Sequence, residues 1–329
     1  MGRSIAHVYA RHGYEVNLYD SFEAAIAQAP EKIRADLQFM VDEDYIPQEA
    51  VEETLKRINI IGAGVNATAA DILAGKGQSG PDAKGSDPDK ELEEAVKDVD
   101  FVVEAIAEVL EPKIELFEKL DRFTKPECVL SSNTSSLTLS DIISRVSDER
   151  KKLCMVCHWI NPAYLIPLVE LSNFNDMPQD KFDEIMEFHR KCEKKPIQVM
   201  KDAKGMIANR ILHAITRECM YIVDEGIGDA DSVDDALTFG MCFRFATTGL
   251  REIIDMGGMD IWYKANSNTY PDLCKGDTVS PQIRDRALRG DLGLKTGKGF
   301  FDYSDGKGDE VVKSFYKRLL MQLKVSENY

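Results

Sequence analysis

Phe101-Val-Val-Glu-Ala105 and Cys128-Val-Leu-Ser131 are two short apolar runs that flank a charged, helix-forming segment at 112–123, and their pattern indicates the fold class. Short runs of this kind, rich in β-branched residues, favour β-strands. The same alternation of strand and helix occurs upstream. The upstream strands are predicted at 14–19 and 58–61, and the upstream helices at 4–11, 22–42, 48–57 and 91–97. Such alternation predicts an α/β fold whose parallel sheet has helices on both faces.

The domain organisation is predicted from a change of pattern near residue 199. Strands alternate with helices up to Pro196-Ile-Gln-Val199, whereas a strongly amphipathic helix at 207–225 opens a region with almost no strand signal. A loop excursion is predicted at 62–90, because residues 75–90 are rich in glycine and polar side chains. The predicted parts are a nucleotide-binding α/β domain at 1–199, an all-α second domain at 200–303 and an extra C-terminal helix within 304–329.

The composition excludes several classes of partner. The chain has 329 residues and a formal net charge of −16, which opposes binding to nucleic acid or to an anionic membrane surface. No apolar run approaches the length of a membrane span, and no signal-peptide core follows Met1. Seven cysteines at scattered spacing fit reduced thiols better than a disulfide framework. We therefore predict a cytoplasmic protein with no nucleic-acid partner and no membrane partner.

Residues 158–170, His-Trp-Ile-Asn-Pro-Ala-Tyr-Leu-Ile-Pro-Leu-Val-Glu, carry the strongest chemical signal. A strand-like run at 153–157 delivers His158, an Asn-Pro pair breaks the chain, and a second apolar run delivers Glu170. A turn between the two runs can bring the carboxylate beside the imidazole, as a general base requires. The carboxylate would fix the ring's tautomer and stabilise the imidazolium. A core histidine with a chance acid nearby is the alternative for such a pair in isolation.

The N-terminus matches the second half of a dinucleotide-binding unit. Gly2, the helix after it and Asp20 at the end of the next strand have the expected order, with Asp20 placed to bind a ribose 2′-hydroxyl. The aspartate favours NAD over NADP, and an incidental strand-end acid is the alternative. The first strand and two glycines of the unit would precede Met1, and we expect two exposed strand edges without them. A misplaced start codon is the preferred explanation, and a naturally shortened protein is the alternative.

Two other motifs imitate cofactor sites. Gly62-Ala63-Gly64 follows a strand-like run and resembles a nucleotide-binding turn, but only two helical turns follow it before the glycine-rich loop. Cys154-Met-Val-Cys157-His158 has the spacing of covalent haem attachment, yet no export signal accompanies it, and cysteines three apart on a strand point to opposite faces. We reject haem and predict no zinc or calcium site.

Taken together, the motifs resemble those of the 3-hydroxyacyl-CoA dehydrogenase family, over residues 1 to about 303. Several motifs in the family's order are far more specific than any single motif. The motifs are Met1-Gly-Arg-Ser-Ile-Ala6, Val102-Val-Glu-Ala-Ile-Ala-Glu108, Ser132-Asn-Thr-Ser-Ser136, His158 through Glu170, Gly205 through Arg210, and Lys295-Thr-Gly-Lys-Gly-Phe300.

The resemblance implies an NAD-dependent oxidoreductase of fatty acid metabolism, with a Rossmann-like domain that lacks its first strand here, a helical dimerisation domain and a homodimeric state. It implies His158 as the general base on the substrate hydroxyl, Glu170 as its orienting partner, and Ser135 and Asn209 as hydrogen-bonding groups for the reacting oxygen. The positions that match contacts to the nicotinamide half of NAD are Glu108, Lys113, Asn161 and Lys295. Simple structural alternatives are a helix cap for Ser135, a helix-surface amide for Asn209 and a solvated charge for Lys113.

Two classes of small-molecule substrate stay open. The family name implies an L-3-hydroxyacyl-CoA that is oxidised to the 3-oxoacyl-CoA. Where CoA-using members carry a serine and lysines for the CoA phosphates, however, this chain has Asp36 and Glu43, which would repel a polyanion. Residues 161–167 and 242–246 resemble the L-gulonate dehydrogenase/lambda-crystallin and carnitine dehydrogenase branches, which oxidise free hydroxy acids. A non-catalytic structural protein on the same scaffold is a third interpretation.

Overall fold

The computed structural model describes residues 1–76 and 87–328. The chain divides into two units, Met1–Ile207 and Ala208–Tyr329. The break lies beyond the boundary predicted near residue 199, because Met206 still packs in the core of the first unit and the Ile207 amide donates to Glu170. The predicted excursion at 62–90 is described only in part, since residues 77–86 lie outside the described ranges.

The first unit alternates strands with helices. Its described strands are β1 (Val16–Tyr19), β2 (Ile58–Gly62), β3 (Val65–Thr68), β4 (Phe101–Glu104), β5 (Val129–Ser132), β6 (Cys154–Trp159), β7 (Leu168–Ser172) and β8 (Lys195–Val199). Its described helices are α1 (Gly2–Arg11), α2 (Glu23–Asp42), α3 (Glu49–Lys56), α4 (Ala69–Leu73), α5 (Pro88–Val96), α6 (Leu110–Phe123), α7 (Leu139–Ile142), α8 (Asp148–Lys151) and α9 (Gln179–Lys191). Most of these bounds differ from the predicted ones by one to three residues, as helix and strand ends commonly do.

The strands form two sheets, with the orders β1-β2-β3 and β4-β5-β6-β7-β8. The pairs β1–β2, β4–β5, β5–β6 and β7–β8 are parallel, which confirms the predicted α/β fold with a Rossmann-type parallel sheet. The pairs β2–β3 and β6–β7 are antiparallel. Within the described residues, β1 and β4 each form an edge of their sheet, so the two edges expected from the sequence are present.

The core of the first unit explains why α6 forms where it does. Ile114, Phe117 and Leu120 recur at helical spacing and are buried, so one face of α6 packs inward. Phe117 and Leu120 join a cluster with Leu130 of β5 and Val156 of β6. This packing places α6 beside β5 and β6, and several of the predicted site residues lie near the carboxyl ends of β4, β5 and β6.

The β2–β3 hairpin corrects the predicted loop excursion. Instead of a loop, residues 62–73 form a tight turn, a second strand and the short helix α4. The strand was missed because Val65-Asn-Ala-Thr68 has only four residues and is weakly apolar, so its alternation is too short to stand out. Gly62 is required at the turn, since its φ is +133° and a Cβ there would lie 2.1 Å from the Asp20 carbonyl oxygen.

The second unit is helical. Its elements are α10 (Ala208–Asp224), α11 (Ala230–Asp235), a π-helical segment (Ala236–Met241), α12 (Cys242–Phe245), α13 (Leu250–Gly257), α14 (Met259–Thr269), a 3₁₀ turn (Tyr270–Asp272), α15 (Pro281–Arg289) and α16 (Lys307–Ser326). Among its described residues the only β-structure is two isolated bridges, Gly293–Lys298 and Lys298–Asp302. This agrees with the predicted all-α region and with the extra helix near the C-terminus. In the described part of the chain, no helix combines the length and apolarity needed to cross a membrane.

Candidate active site

His158 and Glu170 are direct cross-strand partners. The antiparallel register of β6 and β7 pairs residue 158 with residue 170, which places both side chains on the same face of the sheet. The His158 Nδ1 lies 2.7 Å from Glu170 Oε2. Both residues are buried, with 4 % of His158 and none of Glu170 exposed. The turn expected from the Asn-Pro pair therefore brings the two groups into contact.

The surroundings of Glu170 fix the tautomer of the imidazole. Glu170 Oε1 accepts a hydrogen bond from the Ile207 amide at 2.9 Å, so the carboxylate is held from both sides. A carboxylate beside Nδ1 favours a proton on that nitrogen, which leaves Nε2 as the basic nitrogen of the ring. A buried carboxylate also stabilises the imidazolium that forms when Nε2 accepts a proton. The pair can act chemically as a general base.

The loop that carries Ser135 is attached to the same end of the sheet. Asn133 Oδ1 accepts a hydrogen bond from the Trp159 amide at 2.7 Å, directly next to His158. Glu108 Oε1 accepts hydrogen bonds from the amides of Ser135 and Ser136 at 2.9 and 2.8 Å. The N-cap of the following helix α7 is Thr138, so the helix-cap alternative for Ser135 is wrong. Ser135 is thus held on a fixed loop beside the strand that carries His158.

Glu108 is ionised because of this loop. Partial burial acts to raise its pKa, but hydrogen bonds from the Thr134 hydroxyl and from the Ser136 and Ser135 amides outweigh burial and lower the pKa to about 2. The sequence implied a contact between Glu108 and the nicotinamide half of NAD. In the structure its carboxylate also organises the Ser135 loop.

Lys113 is a buried cation, so the solvated-charge alternative is wrong. Its side chain is 1 % exposed, and its Nζ lies 2.7 Å from Glu104 Oε1 and 3.3 Å from Glu108 Oε2. Glu104 is fully enclosed and also accepts hydrogen bonds from the Ile106 amide and the Ser132 hydroxyl. Glu104 was not predicted as a site residue, although its acidic type at the end of a parallel strand was a usable signal. The three charges fix the end of β4 to α6.

The predicted nucleotide residues lie together at the end of β1. Asp20 follows β1, and its Oδ1 accepts a hydrogen bond from the Phe22 amide at 2.9 Å. Helix α1 begins at Gly2 without a side-chain cap, and the Met1 carbonyl accepts from the amides of Ser4 and Ile5, so within the described residues the amides of Gly2 and Arg3 have no partner in the helix. A Cβ on Gly2 would lie 3.9 Å from both Leu18 Cδ1 and Ala105 Cβ, which places the helix start between the carboxyl ends of β1 and β4. Free helix amides for a pyrophosphate and an acid for a ribose diol fit a dinucleotide.

The residues of both imitating motifs have partners within the protein. The amides of Ala63 and Gly64 donate to the carboxylate of Glu91 at 3.1 and 2.7 Å, so a side chain of the protein itself fills the turn. The cysteines of the second motif have separate surroundings, because Cys154 Sγ contacts the Arg150 carbonyl and Cys157 Sγ accepts from the Trp159 indole. Among the described residues, no group of three or more His, Cys, Asp or Glu side chains is arranged to hold a metal ion.

Three further predicted residues remain predictions for the site. Asn161 is exposed in the connection between β6 and β7, where it precedes Pro162 in a cis peptide bond. Asn209 is half-buried in the first turn of α10, and Lys295 is exposed in a turn after α15, both in the second unit.

Lys194 is a residue of this region that the sequence did not reveal. It is 5 % exposed, and its Nζ donates to the Ala163 and Ile166 carbonyl oxygens at 2.7 and 3.2 Å. Burial, reinforced by Arg11, lowers the pKa of Lys194 to about 7. Its bonds hold the connection that joins His158 to Glu170. No pattern around residue 194 distinguishes it from a surface lysine.

Asp36, at one of the two positions expected to repel CoA, reaches the same connection. Its Oδ1 lies 3.4 Å from the Tyr164 hydroxyl and its Oδ2 lies 3.5 Å from the Arg3 guanidinium. Burial raises its pKa, and the charge of Arg3 opposes that effect. Glu43 lies at the C-terminal end of the same helix, α2.

Two family models match the chain. The model described as "3-hydroxyacyl-CoA dehydrogenase, NAD binding domain" matches residues 1–75 and 78–203. The model described as "3-hydroxyacyl-CoA dehydrogenase, C-terminal domain" matches residues 205–303. Together the matches include both units and every predicted site residue.

The chain is also similar to individual dehydrogenases. L-Carnitine dehydrogenase of Burkholderia mallei is 37% identical over 48% of this chain and 49% of its own length, so that match spans about half of the relative. The probable 3-hydroxybutyryl-CoA dehydrogenase of Bacillus subtilis is 27% identical over 93% of this chain and 94% of its own length. The crystal structure of a 5-formyl-3-hydroxy-2-methylpyridine 4-carboxylic acid 5-dehydrogenase, an NAD⁺-dependent dismutase, has a TM-score of 0.83 with 23% identity, covering 99% of this chain and 95% of that one.

Proposed function

This chain belongs to the 3-hydroxyacyl-CoA dehydrogenase family of NAD-dependent oxidoreductases, and from that premise we propose that it oxidises the hydroxyl at carbon 3 of an L-3-hydroxyacyl group to a ketone. The observation that carries the proposal is the buried His158–Glu170 pair. The two residues are cross-strand partners on β6 and β7, and His158 Nδ1 lies 2.7 Å from Glu170 Oε2. A non-catalytic scaffold protein has no need to keep a carboxylate buried against an imidazole, so this pair argues against the structural alternative.

The proposed chemistry needs one base and one hydride acceptor. His158 Nε2 takes the proton of the substrate hydroxyl, and Glu170 stabilises the resulting imidazolium. Ser135 and Asn209 hold the oxygen that becomes the ketone. NAD, when bound, accepts the hydride that leaves carbon 3. Gly2 and Asp20 would hold its adenosine half, and Glu108, Asn161 and Lys295 would approach the nicotinamide half, with Lys113 orienting Glu108.

Two carriers of the hydroxyacyl group are supported by different observations. A CoA thioester is favoured by the B. subtilis relative, which aligns over nearly its full length and is named as a probable 3-hydroxybutyryl-CoA dehydrogenase. A free hydroxy acid is favoured by the carboxylates of Asp36 and Glu43 on α2, and by the 37% identity to L-carnitine dehydrogenase. Acids at these two positions would repel the phosphates of CoA.

The experiment is a substrate panel with NAD: L-3-hydroxybutyryl-CoA, L-3-hydroxybutyrate, L-carnitine and L-gulonate. NADH formation followed by absorbance is expected with at least one of them, and the preferred compound identifies the carrier. The same assay with the His158→Gln variant is the control for catalysis by a contaminating enzyme. If none of the four compounds yields NADH, the result would contradict the proposed oxidation and favour the non-catalytic structural protein.

Asp20→Ala is expected to narrow the preference for NAD over NADP. In the unmodified protein Asp20 would accept hydrogen bonds from the ribose hydroxyls of NAD and would repel the 2′-phosphate of NADP. Titration of both cofactors by fluorescence should show clear preference for NAD in the unmodified protein and a smaller one in the variant. Glu23→Ala, an acid of the first turn of α2, is the control, and its preference should not change. Equal affinity of the unmodified protein for both cofactors would refute this role.

We further propose that the protein forms a homodimer through its second unit. Large apolar side chains are exposed on it, including Phe243 at 70%, Tyr263 at 75% and Leu288 at 81%. Exposed apolar side chains at this density are typical of subunit interfaces. Sedimentation analysis that gives twice the chain mass would support the proposal, and a monomer would refute it.

A further inference from the structure

Lys194 is a buried lysine to which the proposed reaction gives no role. It lies directly before β8, and 5 % of the residue is exposed. Its Nζ donates to the carbonyl oxygens of Ala163 and Ile166 at 2.7 and 3.2 Å. The same Nζ lies 5.5 Å from the centre of the Trp159 ring, within the range in which a cation is attracted to an aromatic face. The ammonium therefore links the end of β6 to the connection that follows it.

The connection that Lys194 holds lies between the two residues of the proposed base. His158 is next to the last residue of β6, and Glu170 is the third residue of β7. Asn161, which is proposed to approach the nicotinamide, is part of the connection. Within it, the Pro162 carbonyl oxygen accepts from two later amides at 3.1 and 3.0 Å, so the chain forms a tight turn. Because the turn is closed on itself, release of its anchor at Lys194 would displace it as a unit.

Lys194 lies on the opposite side of β6 from the proposed base. Side chains alternate between the two faces of a strand, so Cys157 and Trp159 share the face that His158 does not use. The Trp159 indole N–H donates to Cys157 Sγ at 3.2 Å, which confirms that these two side chains are neighbours. Lys194 approaches the ring of Trp159, and it therefore lies behind the strand. Its influence on His158 passes through the backbone of β6 and of the connection.

The surroundings of Lys194 leave it as the group that changes charge near neutral pH. β6 and the connection face it with an indole ring and carbonyl oxygens. The titratable groups that face it come from α1 and from α9 and its end, and they are His7, Arg11, His189, Cys192 and Glu193.

Three of these five groups are uncharged near pH 7. Burial lowers the pKa of His7 and of His189, the latter to about 4, and it raises the pKa of the Cys192 thiol to about 12. Arg11 and Glu193 are charged and pair with each other at 3.3 Å. Burial, reinforced by Arg11, lowers the pKa of Lys194 to about 7, so its ammonium is present below this pH and is lost above it.

We propose that Lys194 is a positioning residue for the proposed oxidation: its ammonium holds the connection between β6 and β7, and loss of its proton releases the connection and lowers turnover. The inference rests on the proposed function, since it assigns Lys194 to the reaction of His158. An ammonium has three N–H donors and forms charge-assisted hydrogen bonds. The neutral amine has one donor fewer and is not attracted to the face of the Trp159 ring as a cation is.

The first test compares Lys194→Met with Lys195→Met, a matched control because Lys195 is exposed. At pH 6, with the preferred compound of the substrate panel, kcat of Lys194→Met is expected to be roughly 10–100-fold lower, since a small misplacement of reacting groups has a cost of this size. The control should keep the kcat of the unmodified protein. Equal kcat in Lys194→Met and the unmodified protein overturns the proposal.

The pH dependence separates a positioning role from a merely structural one. The ratio of kcat in the unmodified protein to kcat in Lys194→Met cancels the titration of His158, which both proteins share. This ratio should fall toward one as the pH rises through about 7, because the unmodified protein then loses the ammonium as well. A lysine that only stabilises the fold would change Tm and leave the ratio at one. A ratio above one that does not change with pH overturns the role of the proton.

A second test needs neither turnover nor a substituted lysine. The chain has two tryptophans, so Trp262→Phe leaves Trp159 as the single fluorescent reporter. Its emission is expected to change between about pH 5 and 9 with a midpoint near 7, because an indole responds to the charge beside its ring. The change should persist when His158→Gln or His12→Gln is added, since neither histidine is its source.

The two tests distinguish the possible failures. Emission that does not change with pH, or a change that disappears with either histidine, overturns the assignment to Lys194 even if the enzyme is active. An intact change in emission without turnover of any compound of the panel contradicts the proposed function, and the positioning role with it.

Discussion

Replacing His158 by glutamine is expected to lower kcat by roughly 10²–10⁴-fold, the usual contribution of a general base. Glutamine has about the size of the imidazole and can still hydrogen-bond to Glu170, but it cannot accept the hydroxyl proton. The residue contacts no nucleotide position of the proposed site, so the dissociation constant for NAD should stay within a few-fold. Steady-state kinetics with the preferred compound of the substrate panel, together with a calorimetric titration of NAD, measures both quantities.

A matched control is His12→Gln, at the opposite end of α1 from Gly2. His12 bonds to the Val8 carbonyl and to Glu193, away from the carboxyl ends of the strands. This variant should retain the kcat of the unmodified protein. Unchanged turnover in His158→Gln would remove His158 from the mechanism, and a large loss of NAD affinity would make it a structural residue.

Replacing Lys113 by methionine is expected to destabilise the protein by about 3–5 kcal/mol, the usual cost of leaving a buried charge without its partner. Methionine fills most of the volume of the lysine stem, but among the described residues it leaves the enclosed carboxylate of Glu104 with only the Ile106 amide and the Ser132 hydroxyl as donors. Unfolding in urea is followed by a spectroscopic signal of the first unit. Linear extrapolation to zero urea gives the free energy of unfolding.

Lys119→Met on the same helix is the matched control. Lys119 pairs with Asp89 at 2.6 Å on the surface, where an ion pair contributes about 1 kcal/mol or less. The double variant Glu104→Gln/Lys113→Met should recover part of the lost stability, because it also removes the buried carboxylate that has lost its partner. Equal destabilisation by Lys113→Met and Lys119→Met would contradict the assignment of Lys113 as a buried ion-pair partner.

The sequence could predict the contact between His158 and Glu170 because its geometry is local. His158 and Glu170 lie on neighbouring strands joined by one connection, and the turn residues between them make the antiparallel register possible. The alternating strands and helices of residues 101–131 were predictable for a similar reason, since each has a clear periodicity. Asp20 was recognisable because acids at the end of this strand have a defined role.

The ion pair of Lys113 and the position of Lys194 could not be predicted. A lysine four residues into an amphipathic helix normally lies at its surface, and only the packing of α6 against β4 brings Lys113 to Glu104. Lys194 is buried because the connection of residues 161–167 folds over it. The β2–β3 hairpin was missed since its second strand is short and weakly apolar. Tertiary packing decides all three.

The most direct test of the account follows deuterium from the substrate to the cofactor. The preferred compound of the panel, labelled with deuterium at carbon 3, is oxidised with NAD, and the reduced cofactor is examined by proton NMR. Hydride transfer from carbon 3 predicts one deuterium on the nicotinamide ring for each ketone formed, with no such product in the His158→Gln variant. Reduced cofactor without deuterium, or ketone formed at the same rate without His158, would contradict hydride transfer from carbon 3 with His158 as its base.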